Sequence, residues 1–348
     1  MKFKNKKYLS LDKFINEALY KKNLGFYMKK NPIGEDGDFI TAPNISILFS
    51  EMIAIWTVYF WEKLNSPKNI NIIELGAGNG EMLYRMGLSF KNFPQFSKSC
   101  NFFIFEKSPL LKKIQMQKLK KFNIKWINSL DYNFEGPEIF LANEFFDSLP
   151  VKQFSKKKGI WFERHIDVSK KNNLKFIDIK SNIKKIEKKI GVEVSKNQNF
   201  IEYSPLCFDY LKKISKQFEN ENGGLLIIDY GYLNKKMINT IQSIKKHKKI
   251  NILDAFGKSD ITYNINFKLI EKLINFLKLK SQGVTSQKNF LTKLGIIERA
   301  EIISKDLPFS KKTDIYFRLK RLIDKNGMGD LFKVMLITNK KTNFRIGF

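Results

Sequence analysis

A short apolar run that ends in a cluster of glycines constrains the fold of this chain more than any other feature. Residues 70–75 read Ile-Asn-Ile-Ile-Glu-Leu, and Gly76, Gly78 and Gly80 follow before a helix-like segment. This order predicts a strand, a tight turn and a helix, with a backbone that a ligand can approach closely. Further short apolar runs alternate with helical segments at 101–105, 124–127, 138–142 and 225–228. The alternation predicts an α/β protein with a mostly parallel, Rossmann-like sheet covered by helices on both faces.

The regions around this core have other patterns. Helical apolar spacing at 10–27 and 46–64 predicts an N-terminal helical extension over residues 1–66. The core then occupies 67–348, and a last strand is predicted at 332–337. Two stretches interrupt the alternation of strands and helices, so we expect an insertion in each. The first, at about 151–200, is a Lys-rich hairpin or small subdomain, and the second is at about 232–300.

The chain is strongly basic, with a formal net charge of +29, but only six of its 63 basic residues are arginine. Proteins that read phosphates and guanines specifically favour arginine, because its guanidinium makes paired hydrogen bonds. A compositional bias towards lysine therefore explains the charge better than a nucleic-acid surface does, and we expect no specific nucleic-acid partner.

Cysteine and histidine are scarce, with two of each, and the cysteines lack metal-binding or disulfide spacing. No metal site is expected, and the cysteine usage suits a reducing compartment. Residues 1–7 are basic without a following apolar segment, which predicts no secretory signal. The longest apolar run, 52–61, is too short to span a bilayer. We therefore expect a cytoplasmic protein that does not insert into membranes.

The glycine turn departs from the dinucleotide-binding pattern Gly-x-Gly-x-x-Gly, because Glu81 stands where the third glycine belongs. A carboxylate at that position would repel a pyrophosphate. S-adenosylmethionine (SAM) has no phosphate and carries a sulfonium cation and an amino group, which Glu74 could favour. Glu106, at the end of the second strand, could accept hydrogen bonds from both ribose hydroxyls. The alternative is that the glycines only form a tight turn.

Several sequence blocks support the SAM interpretation. The most specific read Leu-Gly-Phe-Tyr at 24–27 and Gly-Asp-Phe-Ile-Thr-Ala-Pro at 37–43. Others follow at 45–51, 74–80, 105–109, 142–151, 228–232, 260–262, 290–296 and 328–334. In this order the chain resembles the MidA-like methyltransferases, whose mitochondrial members assist assembly of respiratory complex I. It departs from the family's usual residues at Asn44, Ser50, Ala77, Asn79, Asn266 and Lys288.

The resemblance implies SAM as the cofactor and a protein arginine as the methyl acceptor, in a complex I subunit or similar protein. The block around 37–41 is predicted to fold over SAM as a lid, with polar contacts from Asp38 and Thr41. Trp126 and Ser129 would lie beside the adenine, although Trp126 could equally be plain core. Asn143, at the carboxyl end of the fourth strand, completes the predicted cofactor site.

Glu144 and Asp147 are the candidate catalytic residues. A guanidinium is protonated in water, so an arginine methyltransferase needs carboxylates to hold and orient it. We expect Glu144 to orient the acceptor and Asp147 to support it, while Tyr230 could line the acceptor channel. The alternative is that Asp147 caps a following helix and Glu144 only contacts SAM.

Three rival functions are weaker. A nucleic-acid methyltransferase acting on base amines would favour Asp/Asn-Pro-Pro-aromatic where this chain reads Asn-Glu-Phe-Phe at 143–146, and neither cysteine follows a proline. A non-enzymatic assembly factor would keep the fold without needing an intact cofactor site. A nicotinamide-dependent oxidoreductase is disfavoured by the glycine spacing.

Overall fold

A mixed sheet of eight strands forms the centre of the protein. The computed structural model describes residues 7–29, 31–34, 37–169, 173–220, 222–245, 248–254 and 256–348. Residues 1–6, on which much of the leader prediction rests, lie outside this part of the chain. The segment before the sheet contains β1 (Tyr8–Ser10), α1 (Leu11–Tyr20), α2 (Ala42–Ile45) and α3 (Ile47–Lys63).

The remaining elements alternate as the sequence predicts. The first half of the sheet and its helices are β2 (Ile70–Leu75), α4 (Glu81–Ser89), α5 (Pro94–Ser99), β3 (Cys100–Phe105), α6 (Pro109–Lys118), β4 (Ile124–Ile127) and β5 (Glu138–Asn143). An inserted segment follows with β6 (Lys152–Lys157), β7 (Ile160–Asp167), β8 (Lys175–Lys180), α7 (Ile183–Ile190) and β9 (Phe200–Tyr203). Next come α8 (Pro205–Asn220), β10 (Gly223–Tyr232), β11 (Gln242–Lys245), β12 (Lys248–Ile250), β13 (Asp260–Thr262) and β14 (Ile265–Asn266). The chain continues with α9 (Phe267–Phe276), β15 (Lys280–Ser286), α10 (Gln287–Lys293), α11 (Ile296–Ser304), α12 (Phe309–Ile323), α13 (Met328–Leu331) and β16 (Phe332–Thr338).

The strand order of the central sheet is β15-β16-β10-β5-β2-β3-β4, with β14 beside the end of β10. The neighbours from β10 to β4 pair in parallel, whereas β16 is antiparallel to β10. The predicted α/β sheet is therefore confirmed. Because β3, β2, β5 and β10 lie side by side, the loops that leave their carboxyl ends meet at one edge of the sheet.

Side chains of β2 show why this strand reads as a continuous apolar run. Ile73 and Leu75 pack into one hydrophobic core, and Ile70 and Ile72 into a second core on the opposite face. All four are fully buried. A strand covered on both faces has no solvent side and so needs no polar alternation.

The helix α3 is apolar on nearly all sides and packs into the second core, as expected for a buried helix. Its start is fixed by Ser46, whose hydroxyl accepts a hydrogen bond from the Leu48 N–H at 3.3 Å. Among the described residues, no helix combines the length and the apolar character that a bilayer span requires.

The inserted segment forms a five-stranded antiparallel sheet in the order β1-β7-β6-β9, with β8 also beside β7. The N-terminal strand β1 belongs to this sheet, since Tyr8 pairs with Asp167 and Ser10 with His165. The division at residue 66 stays a prediction, but this pairing joins the predicted extension to the insertion. The second insertion at about 232–300 also stays a prediction; within that range, β15 pairs with β16 in the central sheet.

Candidate active site at the carboxyl edge of the sheet

The turn after β2 needs its glycines for reasons of conformation and of space. Gly76, Gly78 and Gly80 have φ of 67°, 54° and 79°, in the left-handed region. A Cβ at Gly76 would lie 2.8 Å from the ring of Phe145, and one at Gly78 would lie 2.6 Å from Ile33. The turn is therefore a narrow backbone cradle.

A pocket opens beside this cradle, between the ends of β2, β3 and β5. Predicted site residues on its wall are Thr41, Glu74, Gly76, Gly78, Glu106, Asn143 and Glu144. The structure brings these together from the lid region, the glycine turn and two further strand ends. Predicted residues that do not form the wall are Asp38, Gly80, Trp126, Ser129 and Asp147.

Glu74 presents a carboxyl group that the described residues do not fully satisfy. Its side chain is 4% exposed, and its Oε2 receives no hydrogen bond within this part of the chain. Burial raises the pKa of Glu74 to about 8, and the nearby Glu106 adds to the shift. Among the described residues, no ion pair joins Glu74 to a basic side chain. Its contact with the positively charged groups of SAM stays a prediction.

Glu106 is held by a chain of hydrogen bonds that reaches back to the glycine turn. Its Oε1 accepts from the Ser108 N–H at 2.8 Å, and its Oε2 accepts from Gln115 Nε2 at 3.1 Å. The same Nε2 donates to the Gly78 carbonyl at 2.8 Å, and Trp126 Nε1 donates to Gln115 Oε1 at 2.9 Å. Gln115 thus fixes the position of Glu106, the predicted ribose-binding residue, relative to the glycine turn.

The two predicted adenine neighbours therefore differ. Trp126 is connected to the pocket through Gln115, and its contact with adenine stays a prediction. Ser129 is exposed, and its hydroxyl bonds to Asp131 Oδ2 at 3.3 Å. The structure does not bring Ser129 to the pocket wall.

Thr41, Pro43 and Asn44 line the pocket and are joined to the glycine turn through two asparagines, whereas a lid over SAM stays a prediction. Asn79 Nδ2 donates to Asn44 Oδ1 at 2.8 Å, and Asn44 Nδ2 donates to Thr41 Oγ1 at 2.8 Å. Both asparagines are positions where the sequence departs from its family pattern. Asp38 lies nearby, 9% exposed, behind the wall that Thr41 helps to form.

Glu144 occupies an unusual backbone position directly after β5. Its φ of 51° is in the left-handed region, which a residue with a Cβ seldom adopts. Its Oε1 accepts from the Ala42 N–H of the lid at 3.4 Å, and its Oε2 accepts from the Tyr230 hydroxyl at 3.0 Å. Burial raises the pKa of Glu144 to about 7. Backbone strain of this kind often marks a functional position.

Asp147 lies behind Glu144 and is 3% exposed. Its N–H donates to Asp229 Oδ2 at 3.2 Å, and Asp229 also accepts from the N–H groups of Phe146 and Tyr230. Burial raises the pKa of both aspartates, and the charge of Asp229 adds to the shift at Asp147. The alternative in which Asp147 caps a following helix is wrong, because the next element is β6.

Sequence reasoning missed several residues of this site. Tyr27 lines the pocket, and its hydroxyl donates to Asp260 Oδ1 at 2.9 Å. Burial raises the pKa of Asp260 to about 6. Gln115 and Asp229 were also missed as site residues. Tyr27, Asp229 and Asp260 lie in the sequence blocks at 24–27, 228–232 and 260–262. These blocks do not reveal which side chains are in contact.

The strand order, the glycine cradle after β2 and the acidic residue after β3 define a class I methyltransferase. The sequence profile of the family described as "Putative S-adenosyl-L-methionine-dependent methyltransferase" matches residues 52–285. The chain belongs to this family, and its cofactor is SAM. The predicted resemblance, enzyme class and cofactor are thereby confirmed.

Individual relatives agree with this assignment. Protein arginine methyltransferase NDUFAF7, mitochondrial, of Xenopus laevis is 27% identical over 354 residues, covering 93% of this chain and 80% of the relative. The Homo sapiens protein of that name is 26% identical over 321 residues, covering 85% and 72%. A Burkholderia thailandensis protein considered a methyltransferase and solved with S-adenosylhomocysteine bound has the same fold. Its TM-score is 0.81 at 19% identity, covering 98% of this chain and 90% of that one.

These names correct one expectation. The NDUFAF7 proteins and the homolog from Drosophila melanogaster are all described as mitochondrial. The predicted cytoplasmic location is therefore contradicted.

Proposed function

We propose that this enzyme methylates an arginine side chain of a protein, and that Glu144 holds and orients the guanidinium. The observation that supports this best is the position of Glu144 on the pocket wall, with Asp147, Asp229 and Asp260 buried nearby. Among the described residues, no ion pair links any of these four carboxyl groups to a basic side chain. A guanidinium would supply the missing positive charge.

Bound SAM supplies an electrophilic methyl group on sulfur. Glu144 would accept an N–H of the guanidinium and aim a nitrogen at that methyl group. It would take up the proton as the C–N bond forms and the bond between the methyl group and sulfur breaks, with S-adenosylhomocysteine as the leaving group. A carboxylate with a pKa of about 7 is suited to proton uptake near neutral pH. Tyr230 and the Ala42 N–H hold the carboxylate in place. Asp147, which is buried next to Asp229, is proposed to support the position of Glu144.

The acceptor protein is proposed from the family resemblance and the relatives' names. Eight relatives are named protein arginine methyltransferases, one of them as a homolog. The resemblance to MidA-like enzymes makes a subunit of respiratory complex I the first candidate.

The test is transfer of tritiated methyl groups from SAM into a mitochondrial extract, followed by acid hydrolysis and separation of methylated amino acids. We expect labelled methylarginine, abolished by protease and resistant to nuclease. Label in nucleic acid, or label in lysine alone, would contradict the proposal. An inactive protein that still binds SAM would favour the assembly-factor alternative.

The variant Glu144→Gln tests the proposed role. It should lower methyl transfer at least 100-fold, because the amide cannot take the proton, while SAM affinity measured by calorimetry changes little. Full transfer activity at unchanged SAM affinity would exclude this role for Glu144.

A further inference from the structure

A second cleft, separate from the cofactor pocket, is lined by five lysines. Lys196 comes from the loop between α7 and β9, Lys235 and Lys236 from the loop after β10, and Lys268 and Lys272 from α9. The cleft has a volume of about 650 Å³ and shares no lining residue with the cofactor pocket. The methyl-transfer proposal assigns it no role.

Two buried amides hold the loop that carries the central lysines. Gln198 is 6% exposed; its Nε2 donates to the Lys235 carbonyl at 2.8 Å and its Oε1 accepts from the Met237 N–H at 2.9 Å. Asn266 donates to the Asn234 carbonyl at 3.1 Å and caps α9 through the Leu269 N–H. The lysine backbone is therefore fixed before any ligand arrives.

The charge of the cleft is not balanced within the part of the chain that the structure describes. Its one acidic lining residue, Glu271, already pairs with Lys268 at 2.8 Å. Lys196, Lys235 and Lys272 have no ion pair with an acidic residue in this part of the chain. Several ammonium groups that share one cleft repel one another, and an anionic ligand would relieve that repulsion.

We propose that this cleft binds an acidic segment of the protein substrate; the inference rests on the proposed function. Among the described residues that line the cleft, none is an aromatic residue on which a base could stack, and none is an arginine that could bind a phosphate with two hydrogen bonds. Met237 and Leu269 give it a buried apolar floor, which suits the aliphatic parts of a peptide.

The cleft lies close enough to the active site for one substrate to reach both. Lys235 follows Tyr230 by five residues, and five extended residues span at most about 18 Å. Tyr230 is hydrogen-bonded to Glu144. A polypeptide whose arginine lies at Glu144 can therefore place acidic residues about five positions away in the cleft.

The binding experiment uses fluorescein-labelled decaglutamate as the probe and fluorescence anisotropy as the readout. We compare Lys235→Glu/Lys272→Glu with Lys98→Glu/Lys121→Glu, which changes the net charge equally on exposed residues near the opposite edge of the sheet. Only the cleft pair should weaken binding, by about tenfold or more, because charge reversal replaces attraction by repulsion. Equal weakening in both pairs would show a general charge effect and overturn the proposal.

Two further readouts separate this inference from the proposed function. Single-stranded dT10 should bind the wild type and the Lys235→Glu/Lys272→Glu variant with equal affinity. If this variant loses affinity for dT10 but not for decaglutamate, the assignment of the cleft to a peptide is overturned. In the methylarginine assay, the cleft pair should raise KM for the protein substrate about tenfold with kcat and SAM affinity unchanged. An unchanged KM would overturn the role of the cleft in binding the protein substrate. Absence of methylarginine with the wild-type enzyme would instead count against the proposed function, and the result of the decaglutamate binding experiment would remain valid.

Discussion

Glu74 shows how one buried residue can couple ligand binding to pH. Its raised pKa, about 8, means that the carboxyl group is mostly protonated at neutral pH in the free protein. A cation in the pocket favours the charged form and lowers that pKa. With the cationic groups of SAM beside Glu74, as we propose, SAM binding releases a proton from this carboxyl group below about pH 8.

We expect SAM affinity to rise as pH increases from 6 to 7.5, with a slope approaching about tenfold per unit. Calorimetry in two buffers of different ionisation enthalpy measures the released proton directly. Glu74→Gln should bind more weakly and without this pH dependence. Wild-type binding without proton release would show that Glu74 is not beside the cationic group.

Gln115 offers a second test at the residue scale. It is fully buried and bonds to Gly78, Glu106 and Trp126. Gln115→Leu leaves polar partners buried and unpaired, which costs about 1–3 kcal/mol, and we expect SAM affinity to fall about tenfold. Calorimetry with Gln117→Leu, an exposed residue of the same helix, provides the matched control. Equal affinities in the two variants would contradict a positioning role for Gln115.

At the scale of elements, the site depends on how the lid meets the glycine cradle. The Asn44–Asn79 pair joins the two across 35 positions of sequence. Both positions depart from the family's usual residues, so the two departures lie in contact with each other. Each departure can be read from the sequence, but the contact between the two side chains cannot.

A double-mutant cycle on Asn44→Ala and Asn79→Ala tests this connection. We expect a coupling of about 0.5–1.5 kcal/mol in SAM binding, the usual contribution of a hydrogen-bonded pair. Calorimetry on the four proteins gives the value. Additive effects would mean that the lid is held by other contacts, such as that between Ile33 and the cradle.

The elements that were predicted correctly are those with a local signal. The runs at 70–75 and 124–127 became β2 and β4 without change, because both are rich in the branched and aromatic side chains that favour strands. The glycines and Glu106 were found because they follow such strands directly. Gln115 and Asp229 act through side chains that fold in from distant positions, so no spacing marks them. At three residues, β1 is too short to leave a pattern.

At the scale of the molecule, a basic exterior surrounds an acidic site. The chain carries a net charge of +29, yet Glu74, Glu144, Asp147, Asp229 and Asp260 are gathered at the carboxyl edge with raised pKa values. A carboxyl group whose pKa is higher in the folded state binds protons more tightly there. Stability is therefore greatest below the unfolded pKa and is lost as pH rises through the folded pKa.

The melting temperature of the ligand-free enzyme should consequently fall between pH 5 and pH 8. Glu144 alone, with a pKa raised from 4.5 to about 7, accounts for about 1–3 kcal/mol of this loss. Scanning fluorimetry across that range should give a flatter profile for Glu144→Gln and a higher melting temperature at pH 8. Saturating S-adenosylhomocysteine should raise the whole curve. A wild-type profile that rises over this interval would contradict the inferred burial of the acidic groups.

The pairing of β1 with β7 also sets an order of events during synthesis. Tyr8 leaves the ribosome early, but its partner Asp167 follows only after β2, β3, β4 and β5, half of the central sheet, have been made. At typical elongation rates, the first strand waits about 8–30 s for its neighbour. A nascent chain therefore contains the glycine turn after β2 well before β1 can pair with β7. Truncation between α4 and β7 would leave that turn in a chain whose first strand has no partner.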